Sequence, residues 1–175
     1  MPFDLQPTLK GNLITLRPLR EDDFPSLFEV ASDPLIWEQH PQHDRYKEEV
    51  FRGFFKDAMA SGGALLVTDN RDNKVIGSSR FNDYDEALKQ IEIGWSFLAR
   101  SHWGSTYNHE MKDLMLRHAF QFVESVVFLI GPYNLRSQCA IERIGAKRIG
   151  YSKDSKGATC VVYRINASEY KTRTC

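Results

Sequence analysis

A run of small polar residues ahead of a helical stripe is the stretch of this sequence best suited to hold an anion. Arg100-Ser101-His102-Trp103-Gly104-Ser105-Thr106-Tyr107-Asn108 precedes Met111, Leu114, Met115, His118 and Phe122, which recur at helical spacing. A helix N-terminus carries unpaired N–H groups and a partial positive charge. Small residues at Gly104, Ser105 and Thr106 let a ligand approach that backbone, so the segment suits a phosphate or pyrophosphate. The competing reading is an ordinary helix beginning near Tyr107 and capped by Ser105 or Thr106. His40 and His43 form an HxxH pair, but Pro41 breaks the helical face a metal site would use. No further ligand cluster accompanies them, so no metal is expected. His40 is also a candidate base, since an unperturbed imidazole titrates near 6.5. His118 reads as packing, and Asn134 reads as an N-cap.

The elements that would position these residues follow from period and punctuation. Leu13–Arg17 is a short β-leaning run stopped by Pro18. Asp22 or Asp23 can cap a helix to about Ala31, a further turn or short helix runs from Asp33-Pro34 to Trp37, and residues 44–60 form a second helix ended by Ser61-Gly62-Gly63. Residues 64–68 and 74–81 read as strands joined by a polar turn. Ile91, Ile93, Trp95 and Phe97 alternate with Glu92, Gly94 and Ser96, which predicts Glu92 and Ser96 on the face opposite the aromatic residues. Val126–Ile130 is an apolar strand of the kind buried in a sheet. A helix opened by Asn134 turns Leu135, Ala140, Ile141 and Ile144 inward, and residues 147–151 and 159–165 make a last hairpin. The order defines an α/β chain with one central sheet.

The 175 residues suit one domain, 1–175, with no linker or repeat. Lysine plus arginine equals aspartate plus glutamate, 23 each, which argues against a nucleic-acid or acidic-membrane binder. Three cysteines, Cys139, Cys160 and Cys175, show no CxxC spacing and read as reduced thiols, Cys139 as a small core residue. No signal peptide or membrane span is evident, so a cytoplasmic location is expected.

Glu92-Ile93-Gly94-Trp95, Trp103 to Glu110, Asn134-Leu135-Arg136-Ser137 and Glu142 to Ala146, after an opening Leu16-Arg17-Pro18-Leu19, resemble a GNAT-superfamily N-acetyltransferase. The branch is that of the ribosomal-protein N-terminal (alanine/serine) acetyltransferases, and the resemblance runs from about residue 11 to 170. It implies a GNAT fold: a central mixed, largely antiparallel sheet with a splayed parallel strand pair, flanked by helices. It implies acetyl-CoA as co-substrate, no metal, and a primary-amine acceptor. A protein or peptide N-terminus comes first, and a small amine or amino-sugar second. A CoA-binding or interaction module with weak turnover is the alternative.

The same resemblance implies particular roles. Main-chain groups of Trp103, Gly104, Ser105, Thr106, Tyr107 and Asn108 would hold the CoA pyrophosphate. In that frame Trp103 replaces a leading Arg/Gln, Thr106 a glycine, and Asn108 a glycine or alanine. Thr106 brings a Cβ that crowds the backbone, or a hydroxyl that contacts phosphate. Phe97 and Leu98 would pair with the pantetheine like an added strand, and Asn134 would bond the same arm. Glu92 is implied as general base, Ser137 as proton donor to sulfur, and Trp37 and His40 as lining for the acceptor.

Overall fold

A computed structural model describes residues 2–173, apart from the side chains of residues 105 and 171–173. Cys175 lies outside the described residues. The elements are β1 (Leu9–Lys10), β2 (Ile14–Pro18), α1 (Phe24–Ala31), α2 (Glu48–Ser61), β3 (Ala64–Asp69), β4 (Val75–Asp85), β5 (Gln90–Leu98), α3 (Ser105–Ala119), β6 (Ser125–Ile130), α4 (Leu135–Arg143), β7 (Lys147–Lys153), β8 (Thr159–Asn166) and α5 (Ala167–Arg173). They form one eight-stranded sheet in the order β1-β2-β3-β4-β5-β6-β8-β7. The β5–β6 pair is parallel and the other pairs are antiparallel. This is the fold the resemblance implies: a mixed, largely antiparallel sheet with one parallel strand pair, flanked by helices.

Strand period sorts the core into two. Leu65 and Val67 of β3 face a cluster that includes Met111, Met115 and Leu116 of α3 with Ile141 and Ile144. Ala64 and Leu66 point the other way, into Leu27, Phe51, Phe54, Phe55 and Trp37 around α1 and α2. Burial on both faces explains why β3 is apolar throughout. His118 packs against Phe3, Phe81 and Phe122, and its Nε2 lies 2.8 Å from the Asp4 carbonyl.

Several boundaries differ from the sequence reading. The second helix begins at Glu48, because Lys47 is extended. α3 begins at Ser105 and ends at Ala119, so Phe122 packs from beyond it. Leu135 is exposed rather than inward; nine residues at 100° each place it opposite Ile144. Cys139 is exposed rather than a core residue, for the same reason of phase, whereas Cys160 is buried; both are free thiols. No helix among the described residues is long and apolar enough to cross a membrane.

Candidate active site

A bulge in β5 sets the geometry of the site. Ser78 of β4 lies opposite Phe97, yet Arg80 lies opposite Gly94, so β5 spends three residues where β4 spends two. Trp95 absorbs the excess at φ 54°, in the left-handed region. Side-chain phase therefore changes along the strand. Ile91 and Ile93 face α3, while Phe97 faces α2. The expected pairing of Glu92 and Ser96 on one face is corrected: Glu92 shares the α2 side with Trp95 and Phe97, and Ser96 turns to α3. β5 also leaves β6 early. Only Gln90, Ile91 and Glu92 pair with Ser125, Val126 and Val127. Beyond them the two strands part.

A cleft of about 150 Å³ opens at this parting. It brings together Trp37, His40, Phe97, Leu98, Trp103, Gly104, Asn108, Asn134 and Ser137 of the expected site residues, and adds Ser96 and Arg136. Among the described residues, Glu92, Thr106 and Tyr107 do not line it. Thr106 is exposed on the first turn of α3. Tyr107 packs edge-on against His102, with its hydroxyl 3.5 Å from Asp69 Oδ2. Ser105 contributes the first helical residue of α3.

The N-terminus of α3 is suited to an anion. Its cap is Gly104 rather than Ser105 or Thr106, and among the described residues no side chain caps the first turn. Gly104 sits at φ 118°, which a Cβ disfavours. The turn before it is braced from behind. The Asp69 carboxylate accepts from Arg71 at 2.7 Å and pairs with His102 Nε2 at 2.8 Å. Arg71, then His102, hold that carboxyl far below the usual range. Arg100, at the start of the same turn, pairs with Asp33 at 2.5 Å. At the mouth the Arg136 guanidinium stacks 3.9 Å from the Trp103 ring centroid, and the Trp103 indole donates to the Leu98 carbonyl at 2.9 Å.

Asn134 caps α4, its Oδ1 accepting the Ser137 N–H at 3.4 Å. The cap engages the oxygen and orients the whole amide at the cleft wall. Gly131, at the end of β6, abuts the ring of Pro41, which a Cβ there would strike. The His40 loop thus rests on the β6–α4 turn. Trp37 is 2% exposed, donates to the Ala31 carbonyl at 2.8 Å and packs on Phe97.

Charged groups behind the cleft escaped the sequence reading. Lys112 is 4% exposed on the buried arc of α3 and donates to Ser96 Oγ, which bonds Ser79 Oγ at 2.7 Å. Burial alone lowers its pKa to about 7. Its position four residues before buried Leu116 was the available signal. Arg80, one charge inside the otherwise uncharged run 75–82, is 5% exposed. Burial pushes Glu92 upward, against a bond from Asn82. Burial, then Arg45, depresses His40 to about 3, so its imidazole is neutral at ordinary pH. Among the described residues, no group of three His, Cys, Asp or Glu is placed to hold a metal ion.

The residues at the parting fit acetyl-CoA: an uncapped helix start for diphosphate, an open strand edge, and a capped amide beside it. An acetyltransferase from Agrobacterium tumefaciens str. C58 is 26% identical, with a TM-score of 0.72 over 95% of this chain and 97% of that one. A GNAT-family acetyltransferase from Bacillus anthracis, 21% identical, matches at 0.76 over 93% and 100%. Mycobacterium smegmatis RimJ in complex with CoA-disulfide, 18% identical, shares the fold at 0.69 over 93% and 87%. No curated protein matches the chain. The family model described as an acetyltransferase (GNAT) domain matches residues 14–147. The chain belongs to that family and is an N-acetyltransferase of the GNAT type, using acetyl-CoA.

Proposed function

We propose that the chain acetylates a primary amine, first of all the N-terminus of a protein or peptide, by direct attack within a ternary complex in the cytoplasm. The observation that carries this reading is the parting of β5 from β6, which opens a cleft between the uncapped α3 N-terminus and the Trp37–His40 wall. What favours a protein N-terminus as acceptor is the resemblance of the sequence motifs to the ribosomal-protein N-terminal acetyltransferases.

Acetyl-CoA supplies a thioester carbon open to an uncharged amine, with the CoA thiol as leaving group. Backbone donors of Trp103–Asn108 hold the diphosphate, and the Phe97–Leu98 edge and Asn134 hold the pantetheine arm. Alignment of the two reactants supplies much of the rate. Glu92 takes the amine proton through water, and Ser137 returns one to sulfur. The raised Glu92 carboxyl is a better base than a solvated one, and it works only when ionised. Turnover therefore rises with pH through that elevated value.

Calorimetry with acetyl-CoA and a thiol-release assay over peptides and small amines test this directly. Wild type is expected to bind and turn over, and Glu92→Gln to lose about a hundredfold or more in kcat along with the acidic limb. His40→Gln should keep the pH profile, since His40 stays neutral throughout. Binding without turnover on any acceptor would favour the module reading, and a Glu92→Gln loss of only a few-fold would remove Glu92 from the chemistry.

A further inference from the structure

The α2 face of β4 holds a buried cation, two of whose nitrogens find no acceptor among the described residues. Arg80 is 5% exposed, and among the described residues nothing accepts a hydrogen bond from its buried Nε and Nη2. Its guanidinium carbon lies 4.2 Å from the Trp95 ring centroid and 5.6 Å from that of Phe54. Arg45, from the loop before α2, lies 4.8 Å from the same Phe54 ring and 5.5 Å from Trp37. Two guanidinium groups therefore share one aromatic ring. Asp57 acts on both, Glu92 on Arg80, and Asp44 and Asp154 on Arg45, but only at a distance.

Arg45 is also poorly served. Its Nε donates to Gln42 Oε1 at 3.2 Å, and its Nη1 faces His40 Nε2 at 3.2 Å. His40 Nδ1 already accepts from the Gln42 N–H at 3.0 Å. A neutral imidazole has one acceptor nitrogen, so His40 cannot satisfy both donors. Burying a guanidinium without an acceptor is costly, and a carboxylate supplies two oxygens spaced for its fork. The pair adjoins the cleft, because Trp37 and His40 both line it and both touch Arg45. Phe54 and Trp95 wall the position with flat rings, which suits a slender planar anion.

From this arrangement we propose that Arg80 and Arg45 form an anion subsite at the acceptor end of the cleft, and that the acceptor is a primary amine that also bears a carboxylate. The inference rests on the reading that an amine is acetylated in this cleft. The carboxylate comes either from a free amino acid or from an acidic side chain beside a peptide N-terminus.

The decisive comparison uses wild-type protein and matched acceptors. Amino carboxylates of increasing chain length are assayed against their carboxamides, and peptides beginning with Asp or Glu against those beginning with Asn or Gln. The acid member of a pair should win by about ten- to a hundredfold in kcat/KM, chiefly through KM. Preference among free amino carboxylates identifies a small-molecule source, and preference among peptides a protein N-terminus. Arg80→Gln should erase the preference while leaving acetyl-CoA affinity unchanged. A second readout needs no turnover. Titration of arginine-labelled wild type with glutarate should shift the Arg80 Nε–H resonance, and glutaramide should not. Acid and amide acceptors used equally, or no shift with glutarate, would overturn the subsite and leave Arg80 as a packing cation. Absence of both acetyl-CoA binding and transfer, with the glutarate shift intact, would instead defeat the acetylation reading and keep the anion site.

Discussion

Lys112 combines burial with a place beside the cleft, so its charge state affects both stability and function. The unfolded chain protonates this lysine near pH 10.4. The folded chain resists until about 7, because burial disfavours the ammonium and no opposite charge offsets it. As pH falls from about 10 to about 7 the unfolded state gains a proton that the native state lacks. The native state loses up to roughly 1.4 kcal/mol per pH unit over that window, and below it the penalty is constant. Lys112→Met should therefore raise stability at neutral pH, on the order of 1–4 kcal/mol, and flatten the wild-type decline between pH 10 and 7. Denaturant unfolding of both proteins across that range measures it, and parallel curves would refute it. The same change removes the donor to Ser96 on the cleft wall, so a more stable but slower enzyme is expected. Lys112 also shows where reading residues one at a time fails. In the sequence it is one charge among ordinary helix residues. Its burial follows from the packing of α3 on the sheet.

At the level of elements, legibility depended on whether a signal was local. β3 and β6 were readable as short unbroken apolar runs, and the body of α3 because each residue adds to one period. The bulge in β5 was not, since it exists only relative to the register of β4. Gly94 inside a strand pattern was the one local hint. Missing the bulge misplaced Glu92 relative to Trp95 and Phe97, whereas Ser96 lies opposite those rings as expected, because a single inserted residue inverts the phase of the strand on either side of it. The α3 start was half readable: the small residues were evident, but which of them is the cap was not. The structure assigns the cap to Gly104, whose φ of 118° an alanine adopts only under strain. A Cβ there meets no atom within 4 Å, so the cost is conformational rather than steric. Gly104→Ala should cost roughly 1–3 kcal/mol of stability. It should weaken acetyl-CoA binding several-fold with little change in acceptor KM. Calorimetry and steady-state kinetics separate the two, and a larger effect on the acceptor would contradict the placement of the diphosphate.

Across the whole molecule, the two apolar clusters lie on opposite faces of one sheet, and the cleft is walled by both. Met111 comes from the α3 side, Trp37 and Phe97 from the α2 side, and α4 closes the third wall with Asn134, Arg136 and Ser137. A ligand seated there binds the native chain, which alone assembles these three walls, so it must stabilise the folded state by linkage. Acetyl-CoA at a hundredfold excess over its Kd should add about 2.7 kcal/mol. For a chain of this size that corresponds to roughly 5–10 °C in Tm. The shift should grow with the logarithm of ligand concentration, since only the native state offers the cleft. Gly104→Ala should move that curve to higher concentration without changing its slope, because the same site is filled less tightly. Arg80→Gln should leave it in place, because the acceptor end is not what holds the diphosphate. A Tm indifferent to millimolar acetyl-CoA would mean that the parting of β5 and β6 is not where the co-substrate binds.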